Sequence, residues 1–138
     1  MKRALTLSCA ILTGIVLVVA AFAYTTDQAS SGKELYVKYC AACHGAGGEG
    51  GAVPAQFGKL AGAQAPRLVG PGFLPGMKDV RQVYDVARKQ MPGDKPGSLK
   101  SKEYLDIISF ALEANGVKSD GKALTPASAK AIKLPGGK

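Results

Sequence analysis

The sequence predicts an all-α domain of three or four helices joined by long loops. Two segments support that reading by their apolar periodicity and a third by its capping signals. Between them the chain is punctuated by 18 Gly and 8 Pro among 138 residues, and no segment alternates with the two-residue period of a strand. The length suits one domain. Hydrophobic residues at 46% and charged residues at 20% exclude a disordered chain and a multi-span membrane protein. With no Trp and only 7% aromatics, so small and loop-rich a chain needs a staple: a metal, a disulfide or a prosthetic group.

Lys2 and Arg3 precede an uncharged run from Ala4 to Ala23, which closes on the small-x-small pattern Ala21-Phe22-Ala23. Residues 1–23 are expected to be a signal peptide. The alternative is an uncleaved anchor, because the run is long for a leader and just long enough to span a bilayer. Cys9 lies before most of the run, which argues against lipidation. Either outcome places the domain outside the cytoplasm, where two free thiols at Cys40 and Cys43 do not persist unused. Removal of Lys2 and Arg3 lowers the formal charge from +8 to +6.

Residues 24–31 read as a polar lead-in. Ser31 with Glu34 forms a capping box ahead of Leu35, Tyr36 and Tyr39, predicting a helix from Gly32 to about Ala41. Gly45–Gly51 is a glycine-rich loop. Pro54, Pro66, Pro71 and Pro75 break up Ala52–Gly76, and so long an irregular stretch is expected to wrap something. Val80, Val83, Tyr84 and Ala87 predict an amphipathic helix over Lys78–Gln90, ended by Met91-Pro92-Gly93. Ser101 is the expected cap of a last long helix with Tyr104, Leu105, Ile108, Ala111 and Leu112 on its apolar face, stopped by Asn115-Gly116. Residues 118–138 form a basic C-terminal extension, with one short helical turn expected at Thr125-Pro126.

Cys40-Ala41-Ala42-Cys43-His44 carries the chemistry. C-x-x-C-H is the pattern for covalent haem attachment. Two thiols three positions apart at a helix end can each add to one vinyl group on a haem edge, and the next residue points an imidazole at the iron. The competing readings lack their context: a thioredoxin-like dithiol needs a strand before its helix, and a structural zinc site needs a fourth ligand. A plain Cys40–Cys43 disulfide leaves the lone His unexplained.

From Gly32 to roughly Gly116 the chain resembles the class I c-type cytochromes. Gly32-x-x-x-Tyr36 ahead of Cys40-x-x-Cys43-His44-Gly45 is similar to that family's first helix and haem motif, Met91-Pro92 to its distal-ligand loop, and Tyr104–Gly116 to its last helix. The narrower combination of Met91-Pro92, Pro96-Gly97-Ser98-Leu99, Tyr104 and Asn115-Gly116 is similar to monohaem cytochromes that serve quinoprotein and other periplasmic dehydrogenases. The resemblance implies a cytochrome c domain over 32–117, wrapped around one covalent haem c. It implies thioethers to Cys40 and Cys43, iron held by His44 and a Met sulfur, and a proline carbonyl orienting His44, for which Ala65-Pro66-x-Leu68 is the matching segment. Beyond Met1 only Met77 and Met91 remain, and Met91, in a loop flanked by two helices with Pro92 limiting its relaxation, is the expected ligand. Met77 reads as core filler. Arg67 is left as either a propionate partner or a solvated side chain.

Two signals are set aside. Gly45-Ala46-Gly47-Gly48-Glu49-Gly50 satisfies G-x-G-x-x-G but follows a helix, so it is not a dinucleotide loop. Its glycines are expected to pass close to the haem edge. The lysines of the tail suggest a solvated surface or a dock for an acidic partner, not nucleic acid. With six ligands the iron has no open position, which implies an electron carrier and not an enzyme. The implied role is single-electron transfer in the periplasm from a dehydrogenase to an oxidase or other acceptor whose docking surface is acidic. The alternatives are a tethered subunit of a larger oxidoreductase and a haem enzyme or gas sensor with a vacant distal site.

Overall fold

The computed structural model describes residues 23–71, 74 and 76–134. The leader assigned to 1–23 lies outside them save for Ala23. Helix α1 spans Thr26–Tyr39, the short α2 Ala41–His44, α3 Val80–Gln90 and α4 Ser101–Ala114. A two-residue hairpin pairs β1 (Gly51–Ala52) with β2 (Gln64–Ala65), antiparallel, with Gly51 opposite Ala65. Two 3-10 turns between the strands, Ala55–Leu60, are broken at Gly58, whose φ of 55° and ψ of −113° are outside any helix. No helix among the described residues is long and apolar enough to cross a membrane.

Helix α1 begins earlier than its Ser31 signal. Thr25-x-x-Gln28 meets the same capping rule one and a half turns upstream: Gln28 N–H donates to Thr25 Oγ1 (3.1 Å) and Thr25 N–H to Gln28 Oε1 (3.4 Å). The segment expected as a polar lead-in is therefore the first half of α1, with Ala23 and Tyr24 buried ahead of it. At α4 the cap also moves. Ser101 is the first helical residue and its hydroxyl is engaged by Tyr84 Oη at 2.5 Å, while Lys100 N–H donates to the Glu103 carboxylate at 2.6 Å. Helix α3 starts at Val80 because Asp79 caps it, accepting from Gln82 N–H at 3.1 Å.

Helices α1 and α4 cross at Gly32. A Cβ built there would lie 1.8 Å from Asp106 O, so only glycine lets the two backbones meet. Beside the crossing, Tyr36 and Phe110 pack with ring centroids 5.1 Å apart. The core continues through Val80 and Tyr84 of α3 and Leu105, Ile108 and Leu112 of α4.

Residues 118–134 are more than a basic extension, since Leu124, Ala129, Ile132 and Leu134 are buried in that same core. They form a strap fixed along its length. Tyr24 Oη donates to Val117 O (2.5 Å) and Ser119 Oγ to Tyr24 O (2.7 Å), and the Gln28 carboxamide bonds both backbone groups of Leu124 (3.0 and 2.7 Å). Val80 N–H, unsatisfied within its own helix, donates to Ile132 O at 3.0 Å. The expected turn at Thr125-Pro126 is a 3-10 turn two residues on, at Ser128–Ala131.

Candidate haem site

The chain leaves α1 at Cys40 (φ −123°, ψ −38°) and restarts as α2, so the pentapeptide is one kinked helical corner, with His44 N–H donating to Cys40 O at 2.9 Å. Both cysteines are unpaired and half-buried. Burial, with Cys43 adding, pushes the Cys40 thiol up to about 11, and burial with the Asp94 charge raises Cys43.

His44 is buried, and its Nδ1 is 2.9 Å from Pro66 O. A carbonyl can only accept, so Nδ1 carries the proton and Nε2 keeps its lone pair free for a metal. The carbonyl itself is seated by the glycine loop. Gly50 N–H donates to His44 O at 2.8 Å, and a Cβ on Gly50 (φ 75°) would meet Ala65 O at 2.7 Å and Pro66 C at 3.0 Å. Leu68 and Val69 N–H both donate to Gly48 O. The close approach that Gly48 and Gly50 permit is to the segment Ala65–Val69. Tyr36 Oη donates to Gly45 O at 2.6 Å. Its burial, with Cys40 and Glu49 adding, pushes that hydroxyl up to about 12, so it stays a donor.

Met91 caps the end of α3 in an extended conformation and begins a loop closed on itself by Lys95 N–H to Pro92 O (2.9 Å) and Gly97 N–H to Met91 O (3.2 Å). A Cβ on Gly93 would lie 3.0 Å from Leu60 Cδ1, so the hairpin excursion leans on this loop. Met77 packs against the hydrophobic core beside Leu74, the place of a filler. Arg67 is exposed and joins no ion pair among the described residues.

Two residues, one in α4 and one capping it, have polar contacts in the site that their local sequence does not announce. Asn115, the expected stop of α4, also accepts from Gly70 N–H and donates to Leu68 O through its side chain, both at 2.9 Å, tying the end of α4 to the segment after Pro66. Tyr104, on the apolar face of α4 and part of the family-like pattern, also donates its hydroxyl to Met91 O at 2.6 Å. Nothing in local sequence marks either partner.

Two half-buried thiols, one imidazole with its Nε2 lone pair available and a thioether in the loop that follows α3 suit haem c by the chemistry of the donor set. No cluster of three or more His, Cys, Asp or Glu among the described residues is arranged to hold a metal directly. Fold and site together define a c-type cytochrome domain. Residues 27–110 match the family described as cytochrome c oxidase, cbb3-type, subunit III, and the chain belongs to that family. Membership implies a covalently bound haem c and electron transfer as the activity. The crystal structure of the sulfane dehydrogenase SoxCD from Paracoccus pantotrophus contains a chain of the same fold, with TM-score 0.58 and 23% identity over 82% of this chain. This chain spans 60% of the length of that one. No curated protein sequence matches.

Proposed function

We propose that this chain binds one haem c through Cys40 and Cys43, with His44 Nε2 and Met91 Sδ as axial ligands. On this reading it carries single electrons in the periplasm between a dehydrogenase and a terminal acceptor. The observation that carries the reading is the Cys40-x-x-Cys43-His44 corner with its imidazole locked by Pro66 O. Bound there, the iron supplies a one-electron ferric–ferrous couple. The chain's own part is to fix the imidazole tautomer, to keep water out with α3 and α4, and to offer a soft sulfur that favours the ferrous state. His44 and Met91 together would hold the iron and would leave it to exchange electrons instead of binding substrate. Residues 1–23 act as the export signal. The test is direct: pigment from the wild-type chain stays with the polypeptide in acidified organic solvent, and the Cys40→Ala, Cys43→Ala double variant releases it or accumulates colourless. Wild-type pigment that extracts freely would sink the proposal.

The surface next to these residues is basic. Lys38 precedes Cys40, Arg67 follows Pro66, Arg88 and Lys89 precede Met91, Lys95 lies in its loop, and Lys59 adjoins Leu60. All six are exposed, and none joins an ion pair among the described residues. Glu49 and Asp94 are the acidic residues at comparable places in the sequence. With a formal net charge of +8, or +6 once Lys2 and Arg3 leave with the export signal, this favours an acidic partner face. Electron exchange with an acidic redox partner is expected to slow about tenfold or more between low salt and roughly 0.3 M salt, read by stopped-flow. A salt-independent rate would remove the acidic partner from the proposal. A second reading, a permanent subunit of an oxidoreductase complex, draws on the family's description as an oxidase subunit. Co-purification of a partner in stoichiometric amount separates it from a diffusible carrier.

A further inference from the structure

Resting on the His44/Met91 reading, we propose that Tyr104 is a positioning residue for the axial sulfur, acting through the backbone carbonyl of Met91. A Met side chain has three rotatable bonds between Cα and its methyl group. Its sulfur is held in place only as well as its backbone is. Met91 sits where α3 ends, and its N–H is the helix's last bond, to Ala87 O at 2.8 Å. Its carbonyl points away from the helix and would be an orphan.

Two donors fill it. Gly97 N–H, at 3.2 Å, closes the loop on itself and ties it to nothing else. Tyr104 Oη, at 2.6 Å, ties it to α4. Tyr104 is 3% exposed and stands in the first turn of the helix that Gly32 locks against α1. The phenol therefore joins the ligand's own backbone to the best-anchored part of the fold. A phenylalanine would fill the same apolar space, so the hydroxyl's particular contribution is this bond. Tyr84 provides a matched comparison: another buried phenol, 2% exposed, bonded to Ser101 Oγ and not to the Met91 loop.

The experiment is imidazole titration of the ferric holoprotein, followed by loss of the sulfur–iron charge-transfer absorption. Wild type is set beside Tyr104→Phe, Tyr84→Phe and Met91→Ala. Tyr104→Phe is expected to keep its haem and to bind imidazole roughly threefold to tenfold more tightly, the scale of one lost hydrogen bond. Tyr84→Phe is expected to lower the unfolding temperature while leaving imidazole affinity at the wild-type value. Tyr104→Leu, which also lacks the donor, repeats the reading if the phenylalanine variant does not accumulate. Imidazole affinity in Tyr104→Phe within a factor of two of wild type overturns the proposal, and so does an equal shift in Tyr84→Phe. Met91→Ala that keeps the absorption overturns instead the parent assignment of the sulfur ligand.

Discussion

Gly32→Val is expected to destabilise the domain severely. The atoms that a Cβ at position 32 would strike are the Asp106 carbonyl oxygen and carbon, at 1.8 and 2.3 Å, and the Ile107 nitrogen at 2.9 Å. These are backbone atoms of α4 and have no rotamer to yield. Relief requires the two helices to separate, and separation opens the contact on which Tyr36, Phe110 and the pentapeptide corner depend. Overpacking that side chains absorb costs about 1–3 kcal/mol. A collision between backbones exceeds that and takes a large share of the 5–15 kcal/mol that holds a typical domain. Thermal unfolding followed by circular dichroism should show a midpoint lowered by about 15 °C or more. A midpoint within a few degrees of wild type would show that the crossing is looser than described.

Met91→Ala is the second large effect. The oxidised holoprotein should lose its sulfur–iron absorption, the reduced form should bind carbon monoxide rapidly at neutral pH, and the reduction potential should fall as the soft ligand is replaced by water. Met77→Ala should do none of these and instead weaken the core around Leu74. The contrast between the two variants is the decisive reading. Absorption lost in Met77→Ala and kept in Met91→Ala would exchange their roles.

The parts of this molecule that were legible in its sequence share one property: their determinants lie close together along the chain. Helix α3 declares itself through Val80, Val83, Tyr84 and Ala87, and ends at a Pro-Gly step. The pentapeptide is five adjacent residues. The Pro66 carbonyl was reached only through family resemblance, and the 2.9 Å contact to His44 agrees with it. Where the reading fell short, the cause was tertiary. The strap's buried residues, Leu124, Ala129, Ile132 and Leu134, are scattered among lysines with no regular period, so composition alone made that segment look solvated. Two-residue strands leave no alternation to find. The early start of α1 was available in Thr25-x-x-Gln28, but the Ser31-x-x-Glu34 pair matched the same rule nearer the motif. The hydroxyl of Tyr104 and the carboxamide of Asn115 acquire meaning only through carbonyls 13 and 47 residues away.

The seam between Tyr24 or Gln28 and the strap joins positions 93 to 96 residues apart. These bonds work as a clasp: the start of α1 is held by groups that only residues 117–124 supply, so a chain cut short of them would leave the front of that helix without its anchor.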